Sequence, residues 1–233
     1  MHDHPDRGNG RDAGLGGMGR GGIGVNSAEE IQDALRRFPR RGIRRWASWR
    51  GGFARAAVAI TVVTSGSGLA VLLTRRAGGL HEYLGQHAYL GQHVLPGLCT
   101  DPRESAPAAA RRALAEDFGM LLPPESVLGL LDDYETRSNF VITPVVVWAG
   151  ARSEPRHSQN AQVLTIPFAD LDVEPMFVAS AESGHSVIRL PLHGEWLHAP
   201  TAAVLYQFRE VVLRHRRTRV VHLAEGASAP CEC

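Results

Sequence analysis

One run of residues is the most informative about the architecture of this chain: Pro96-Gly-Leu-Cys-Thr-Asp-Pro-Arg-Glu-Ser-Ala-Pro-Ala-Ala-Ala-Arg-Arg-Ala-Leu-Ala-Glu-Asp-Phe-Gly-Met120. It reads as a tight loop that feeds a helix. Asp101-Pro102 is a turn dipeptide, and Ser105 suits a helix N-cap. Residues 108–118 are good or tolerable helix formers, and Gly119 supplies the stop. The stretch therefore predicts a loop followed by a helix of about three turns.

The acids of this stretch carry its candidate chemistry. Glu116 and Asp117 are adjacent near the end of the predicted helix. Arg112 lies one turn before Glu116, where the two side chains can pair. Glu104 lies in the loop just before the helix. Several oxygen ligands on a rigid frame are what a hard divalent cation requires, so the pattern predicts a metal site.

This stretch resembles the Nudix box, whose pattern is Gly, five residues, Glu, seven residues, Arg-Glu, an apolar residue, any residue, Glu-Glu, any residue, Gly and an apolar residue. The register fits without a gap and places motif residues at Glu104, Arg112, Leu114, Glu116, Gly119 and Met120. Three positions depart from the pattern: Leu98 replaces Gly, Asp117 replaces Glu, and Ala113 replaces the Glu after the Arg. Ala113 matters most, because that Glu is a metal ligand or the general base in the family.

The resemblance implies a fold and an activity. The implied fold is α+β, an α/β/α sandwich in which a mixed, curved β-sheet lies between helices. The implied activity is a Mg²⁺- or Mn²⁺-dependent pyrophosphohydrolase that cleaves the diphosphate of a nucleoside diphosphate-linked compound, with a coenzyme A-like substrate as the leading candidate. The implied catalytic residues are Glu116, Arg112 and Glu104, and the implied metal ligands are Glu116, Asp117, Glu104 and the carbonyl of Gly97.

Segments on both sides of the box resemble the coenzyme A pyrophosphatase branch of this family. They are Leu-Leu-Thr-Arg-Arg at 72–76, Leu-Asp-Asp-Tyr at 131–134, Thr-Arg-Ser at 136–138 and Phe-Val-Ile-Thr-Pro-Val-Val at 140–146. The resemblance implies that the substrate contacts Arg75, Arg76, Arg137 and Ser138. Within the second segment, Asp132 and Asp133 are interpreted as turn residues, with an approach to the metal as the alternative.

A second acid of the family is also replaced. Counting back from Ile166, a Glu that serves the metal or acts as a base in the relatives falls on Gln159. An amide cannot act as a general base and is a poor ligand for a hard cation. The alternative to an active hydrolase is therefore a catalytically impaired Nudix domain that binds a nucleotide-like ligand.

A tandem duplication precedes the box. Tyr-Leu-Gly-Gln-His-Ala at 83–88 is followed by Tyr-Leu-Gly-Gln-His-Val at 89–94. The favoured interpretation is an inserted surface loop, since loops accept added length at small entropic cost. The alternative is a repurposed site in which His87 or His93 replaces a lost acid and supports non-hydrolytic chemistry.

The remaining strands and the last helix follow from apolar patterning. A hairpin is predicted from residues 56–63 and 69–74, joined by the Ser-Gly-Ser-Gly turn at 65–68. Further strands are predicted at 127–131, 140–149 and 187–192, with Pro144 at an edge or a bulge. A final helix is predicted after Pro200, with an apolar stripe that packs on the sheet.

Composition shifts divide the chain into four segments. Residues 1–26 are Gly-rich and predicted to be disordered. Residues 27–55 hold a helix opened by the capping-box pair Ser27 and Glu30, then a basic segment of Arg and Trp. That segment is interpreted as a solvated basic surface, with ligand phosphates or nucleic acid as alternatives. Residues 56–224 form the predicted Nudix domain, and 225–233 form a flexible tail with Cys231 and Cys233.

The overall composition is that of an ordinary globular protein. The 233 residues are 44% hydrophobic and 21% charged, with Lys+Arg 25 against Asp+Glu 24. Three cysteines do not make a disulfide framework, and a cytoplasmic location is the simplest expectation. No apolar run reaches membrane-spanning length, so a membrane partner is not expected. The resemblance implies a nucleotide-like small molecule as the partner. The resemblance leaves a homodimer open.

Overall fold

The computed structural model of the chain describes residues 24–43, 54–76, 82–83, 86–87, 93–151, 161–179 and 186–224. The helices are α1 (Ala28–Arg37), α2 (Ala106–Phe118), α3 (Phe168–Leu171) and α4 (Thr201–Phe208), with a 3₁₀ turn at Pro124–Ser126 and a π-helical turn at Arg209–Leu213. The strands are β1 (Ala54–Ser65), β2 (Gly68–Arg76), β3 (Glu82–Tyr83), β4 (Gln86–His87), β5 (His93–Val94), β6 (Gly97–Cys99), β7 (Val127–Leu130), β8 (Tyr134–Glu135), β9 (Phe140–Gly150), β10 (Ala161–Pro167), β11 (Met176–Ala179), β12 (Ser186–Leu192), β13 (Glu195–His198) and β14 (Leu223–Ala224). None of these helices has the length and apolar character of a membrane span.

The main sheet is mixed, and β1 lies at its centre. Its strands run in the order β10-β2-β1-β9-β7, and the short strands β5, β6 and β8 add to β2, β1 and β9. β1 pairs with β9 in parallel and with β2 and β6 antiparallel. A second sheet has the order β11-β12-β13, with β14 parallel to β12. The loop–helix stretch therefore begins on a strand, β6, that is attached to the middle of the main sheet.

The main sheet is covered on both faces because β1 is apolar on both. On one face Ala59 belongs to a buried cluster with Phe118 of α2. On the other face Ile60 belongs to a larger buried cluster with Ile31 of α1 and Phe208 of α4. The predicted α+β architecture, with a mixed sheet between helices, is confirmed.

Helix ends and the first hairpin follow the local sequence. The Ser27 hydroxyl accepts a hydrogen bond from the N–H of Glu30 at 3.3 Å, as the capping-box pair predicts. The Ser105 hydroxyl caps α2 by accepting from the N–H of Ala108 at 3.3 Å. Gly119 ends α2 with a φ of 65°, a left-handed conformation that costs glycine no strain. The predicted hairpin is confirmed as β1 and β2.

The interpretation of Asp132 and Asp133 as turn residues is wrong. Each is only 3% exposed. Arg219 Nη1 lies 2.6 Å from Asp132 Oδ1, and Arg40 Nη2 lies 2.6 Å from Asp133 Oδ1. Gln207 accepts from the N–H of Asp132 and donates to its carboxylate, both at 3.1 Å. The two acids therefore join the segment after α1 to α4 and to the segment that follows the π-helical turn.

Pro144 lies at neither an edge nor a bulge. β9 is an interior strand with β1 on one side and both β8 and β7 on the other. β8 pairs as far as Ile142, and β7 begins to pair at Val145. Between them the N–H of Leu131 donates to the carbonyl of Pro144 at 3.1 Å. A proline is tolerated here because the gap between two short partner strands does not require its missing N–H.

Several predicted features lie outside the described residues. They are the Gly-rich tail up to residue 23, the basic Arg and Trp segment from 44 to 53, Gln159, and the tail from 225 onward. Parts of the duplicated hexamers are also outside them. The segment boundaries at 26, 55 and 224 stay predictions.

Candidate functional site

The loop that leads to α2 is tied to the central strand. Gly97 pairs with Val58 of β1. The N–H of Ala59 donates to the carbonyl of Pro96 at 2.8 Å, and the N–H of Thr100 donates to a β1 carbonyl at 2.9 Å. The loop therefore starts from the central strand of the main sheet.

Arg112, in the middle of α2, links this loop to the end of the helix. Its Nε and Nη2 donate to the two carboxylate oxygens of Glu104 at 3.1 and 2.9 Å. Nη2 also donates to the carbonyl of Cys99 at 2.9 Å, and Nη1 donates to Glu116 Oε1 at 3.4 Å. The predicted Arg112–Glu116 contact is present, and the stronger, bidentate contact is to Glu104.

Both carboxylate oxygens of Glu104 are engaged. Oε2 also accepts from the N–H of Asp101 at 2.9 Å. The hydrogen bonds from Arg112 hold the pKa of the Glu104 carboxyl below its usual value, against an opposing effect of burial. These contacts support a positioning role, in which Glu104 closes the loop and fixes Arg112. The metal-binding and catalytic roles of Glu104 stay predictions.

The ion pair between Glu104 and Arg112 gives a pH-dependent contribution to stability. Because the folded-state pKa of Glu104 lies below the unfolded value of about 4.5, the contribution is fully present above that value. It is lost as the pH falls through the folded-state pKa. We expect Glu104→Gln to lower the free energy of unfolding by less than about 1 kcal/mol at pH 7, since the pair is partly solvated. Near pH 3 the difference from the wild type is expected to shrink.

Urea unfolding at pH 7, 4.5 and 3 checks this expectation. Glu125→Gln is a matched control, because Glu125 is exposed. A difference between wild type and Glu104→Gln that stays constant down to pH 3 would contradict it.

Ala113, Glu116 and Asp117 occupy positions i, i+3 and i+4 of α2 and therefore share one face of the helix. The Glu116 side chain is 53% exposed, whereas Ala113 is 0% exposed. Asp117 is partly buried. Glu116 reaches solvent at the end of this face, whereas the middle of the face presents a buried methyl group.

The described donors do not fit a resident divalent cation. Ala113 offers no donor atom, and both oxygens of Glu104 are hydrogen-bonded to Arg112. In the described part of the chain no three His, Cys, Asp or Glu side chains are grouped so that they could hold a metal. The roles of Glu116, Asp117, Glu104 and the Gly97 carbonyl as Mg²⁺ or Mn²⁺ ligands stay predictions, and substrate phosphates and water would have to complete such a set.

Arg75, a predicted substrate residue, lies against the second sheet. Its Nη2 is 3.6 Å from Glu195 Oε1 at the start of β13. His93 Nδ1 is 2.9 Å from the other oxygen of the same carboxylate. These contacts place His93 against Glu195. The side chains of His87 and Arg76 lie outside the described part of the structure. The sequence does not point to Glu195, because no local pattern links it to a strand so much earlier in the chain.

The other two predicted substrate residues lie in the turn before β9. Arg137 is exposed there. The Ser138 and Thr136 hydroxyl oxygens are 3.0 Å apart, and Thr136 Oγ1 accepts from the N–H of Phe140 at 3.0 Å. Ser138 is thus part of a fixed turn, and its substrate role stays a prediction.

No protein-family model matches the sequence, and no curated protein matches it. The fold is similar to solved structures of the Nudix type. A MutT protein from Methanosarcina mazei is 17% identical with a TM-score of 0.40, covering 53% of this chain and 83% of that one. A MutT/Nudix family protein from Enterococcus faecalis is 14% identical with a TM-score of 0.47, covering 83% and 78%. The Nudix hydrolase RenU from M. smegmatis is 24% identical with a TM-score of 0.41, covering 71% and 92%.

Proposed function

We propose that this chain is a Nudix-fold domain that binds a nucleoside diphosphate-linked compound and hydrolyses it slowly or not at all. Ala113 is the observation that carries the proposal. It stands where the Nudix box has a Glu that is a metal ligand or the general base, and it is 0% exposed. Loss of a catalytic acid or base typically costs about 10²–10⁴-fold in rate.

The contacts of Glu104 support the same proposal. A carboxylate that accepts two hydrogen bonds from Arg112 and one from a backbone N–H has little remaining capacity for a metal ion or a water. Its lowered pKa also makes it a weak proton acceptor at neutral pH. Glu104 therefore stabilises the loop, and Glu116 and Asp117 are the remaining candidates for the catalytic role.

Basic side chains outside α2 support a diphosphate ligand. Arg75 and Arg137 carry guanidinium groups, which suit bidentate contacts to phosphate oxygens. The contact of Arg75 with Glu195 is long, at 3.6 Å, and both side chains are more than 40% exposed. Such a pair contributes little stability, so Arg75 can exchange it for a phosphate. A coenzyme A-like compound is the first ligand to test, because the flanking segments resemble that branch of the family.

An active pyrophosphohydrolase is the second candidate. It is favoured by the 3.4 Å contact between Arg112 Nη1 and Glu116 Oε1, which still orients an acid at the solvent-facing end of α2. Asp117 follows directly in the chain. A divalent cation carried by the diphosphate of the substrate would be the cofactor of this candidate.

Binding and product formation, measured on the same samples, separate the two candidates. Coenzyme A and ADP-ribose are titrated calorimetrically and then incubated with Mg²⁺ or Mn²⁺, beside Asp117→Asn and the matched surface variant Asp33→Asn. We expect saturable binding with little or no cleavage. Cleavage that vanishes only in Asp117→Asn would establish the hydrolase instead. A folded protein that shows no binding and no cleavage would contradict both candidates.

A further inference from the structure

A small pocket lies between the end of α1 and the turn that follows the π-helical turn. Its volume is about 60 Å³. Its floor is apolar and its rim is basic, formed by Arg37, His215, Arg216 and Arg217. The geometry points to a binding site for a phosphate group, either free inorganic phosphate or the terminal phosphate of a small phosphorylated compound. Phosphate binding at this pocket does not depend on whether the site around Glu104, Arg112 and Glu116 hydrolyses its ligand.

The floor of the pocket consists of buried apolar side chains. Ala34, Phe38 and Val211 are 6%, 4% and 3% exposed. The Arg219 guanidinium lies 4.5 Å from the centre of the Phe38 ring and is itself held by Asp132. Low-dielectric walls strengthen the interaction between an anion in the pocket and the charges on its rim.

The rim carries more positive charge than its neighbours neutralise. In the described part of the chain, Arg37 and Arg217 form no ion pair, and both are exposed. Arg216 contacts one carboxylate, that of Glu210, through a single nitrogen at 3.5 Å. Glu210 is already paired with Arg209 at 2.8 Å. A dianionic phosphate would therefore meet guanidinium groups whose donors are still available.

The backbone turn that carries His215, Arg216 and Arg217 is fixed by its own hydrogen bonds. His215 has a φ of 53°, which turns the chain sharply at this point. The N–H of Arg216 donates to the carbonyl of Glu210 at 2.7 Å, and the N–H of Arg214 donates to the carbonyl of Arg209 at 3.1 Å. A turn fixed by its own backbone hydrogen bonds loses less conformational entropy when it binds a ligand.

The size of the pocket suits a small ligand group. A water needs at least about 10–15 Å³ of such volume, so a pocket of about 60 Å³ holds a group of only a few heavy atoms. A phosphate with its four oxygens fits this limit, whereas a nucleoside would have to remain outside.

A helix C-terminus carries a partial negative charge that opposes anion binding, and Arg37 offsets that charge for α1. Arg216 and Arg217 do the same for the helical region that ends at Leu213. Each helix end carries about half a negative charge, so the full positive charges of Arg37, Arg216 and Arg217 exceed the two partial charges together. A purely solvated basic surface would explain these charges but not their position around buried apolar side chains.

Titration of the full-length protein tests the site. ¹⁵N-labelled wild type is titrated with inorganic phosphate and with adenosine 5′-monophosphate at constant ionic strength, with chloride as the reference. We expect saturable shifts of the backbone amides of Phe38 and of residues 215–217. In the Arg37→Gln/Arg217→Gln variant, Kd is expected to rise about tenfold or more. Arg36→Gln is the matched control, because Arg36 pairs with Asp33 at 3.0 Å and does not line the pocket.

Each outcome decides the proposal. Equal affinity for the two probes assigns the site to free phosphate, and a preference for the nucleotide assigns it to phosphorylated compounds. Linear, non-saturable shifts in the wild type, or shifts confined to other elements, overturn the proposal without any variant. An unchanged Kd in the folded double variant also overturns it.

Discussion

Replacing Asp132 with alanine is expected to lower the free energy of unfolding by about 3–5 kcal/mol, the usual cost of breaking a buried ion pair from one side. The change leaves the Arg219 guanidinium without the two oxygens that lie 2.6 and 2.7 Å away. It also removes the acceptors of the Gln207 amide at 3.1 Å and of the Arg41 N–H at 2.6 Å. The Arg41 N–H then loses its acceptor, whereas Arg219 and Gln207 keep only their contacts to the carbonyls of Pro39 and Thr218.

Urea unfolding of the variant, with Asp33→Ala as the matched control, checks this expectation. Asp33 also pairs with an arginine, Arg36, at 3.0 Å, but both side chains are more than half exposed. Its removal is expected to change stability by less than about 1 kcal/mol. The Asp132→Ala/Arg219→Ala variant is expected to lose less than the sum of its single variants, because neither charge is left alone. Equal, small losses for Asp132→Ala and Asp33→Ala would show that the Asp132 site is open to water.

The parts of the fold that could be predicted are those set by near neighbours in the sequence. A cap such as Ser105 depends on a backbone N–H three residues away, and the end of α2 depends on a residue that tolerates a left-handed conformation. The contact of Arg112 with Glu116 spans one helical turn and is equally local. These features are visible before the tertiary fold is known.

The features that sequence analysis missed all depend on distant partners. Asp132 looks like a turn residue until Arg219 and Gln207 fold back over it. The tolerance of Pro144 depends on where two short strands stop. Both oxygens of Glu104 face Arg112 only because the loop is held against β1. A single sequence does not contain these distances, so local rules misassign such residues.

The burial of Ala113 makes its replacement by glutamate the sharpest test of the site. Overpacking alone costs about 1–3 kcal/mol. We expect Ala113→Glu without metal to be less stable than the wild type by more than this amount. The extra loss comes from desolvating a carboxylate at a position that is 0% exposed. That carboxylate would lie on the same face of α2 as Glu116 and Asp117. The variant would therefore hold three acids together, and a cation that binds them is expected to restore stability.

Thermal unfolding with and without Mn²⁺ measures this restoration. A cation that binds only the folded variant at a hundred times its Kd stabilises it by about 2.7 kcal/mol. Ala113→Gln is the matched control, because it adds the same volume without the charge and is expected to show no response to Mn²⁺. Restoration accompanied by cleavage of coenzyme A would show that residue 113 alone separates this chain from an active hydrolase. Restoration without cleavage would indicate a second loss, for which Gln159 is the sequence candidate. No response to Mn²⁺ would contradict the placement of residue 113 beside the acids.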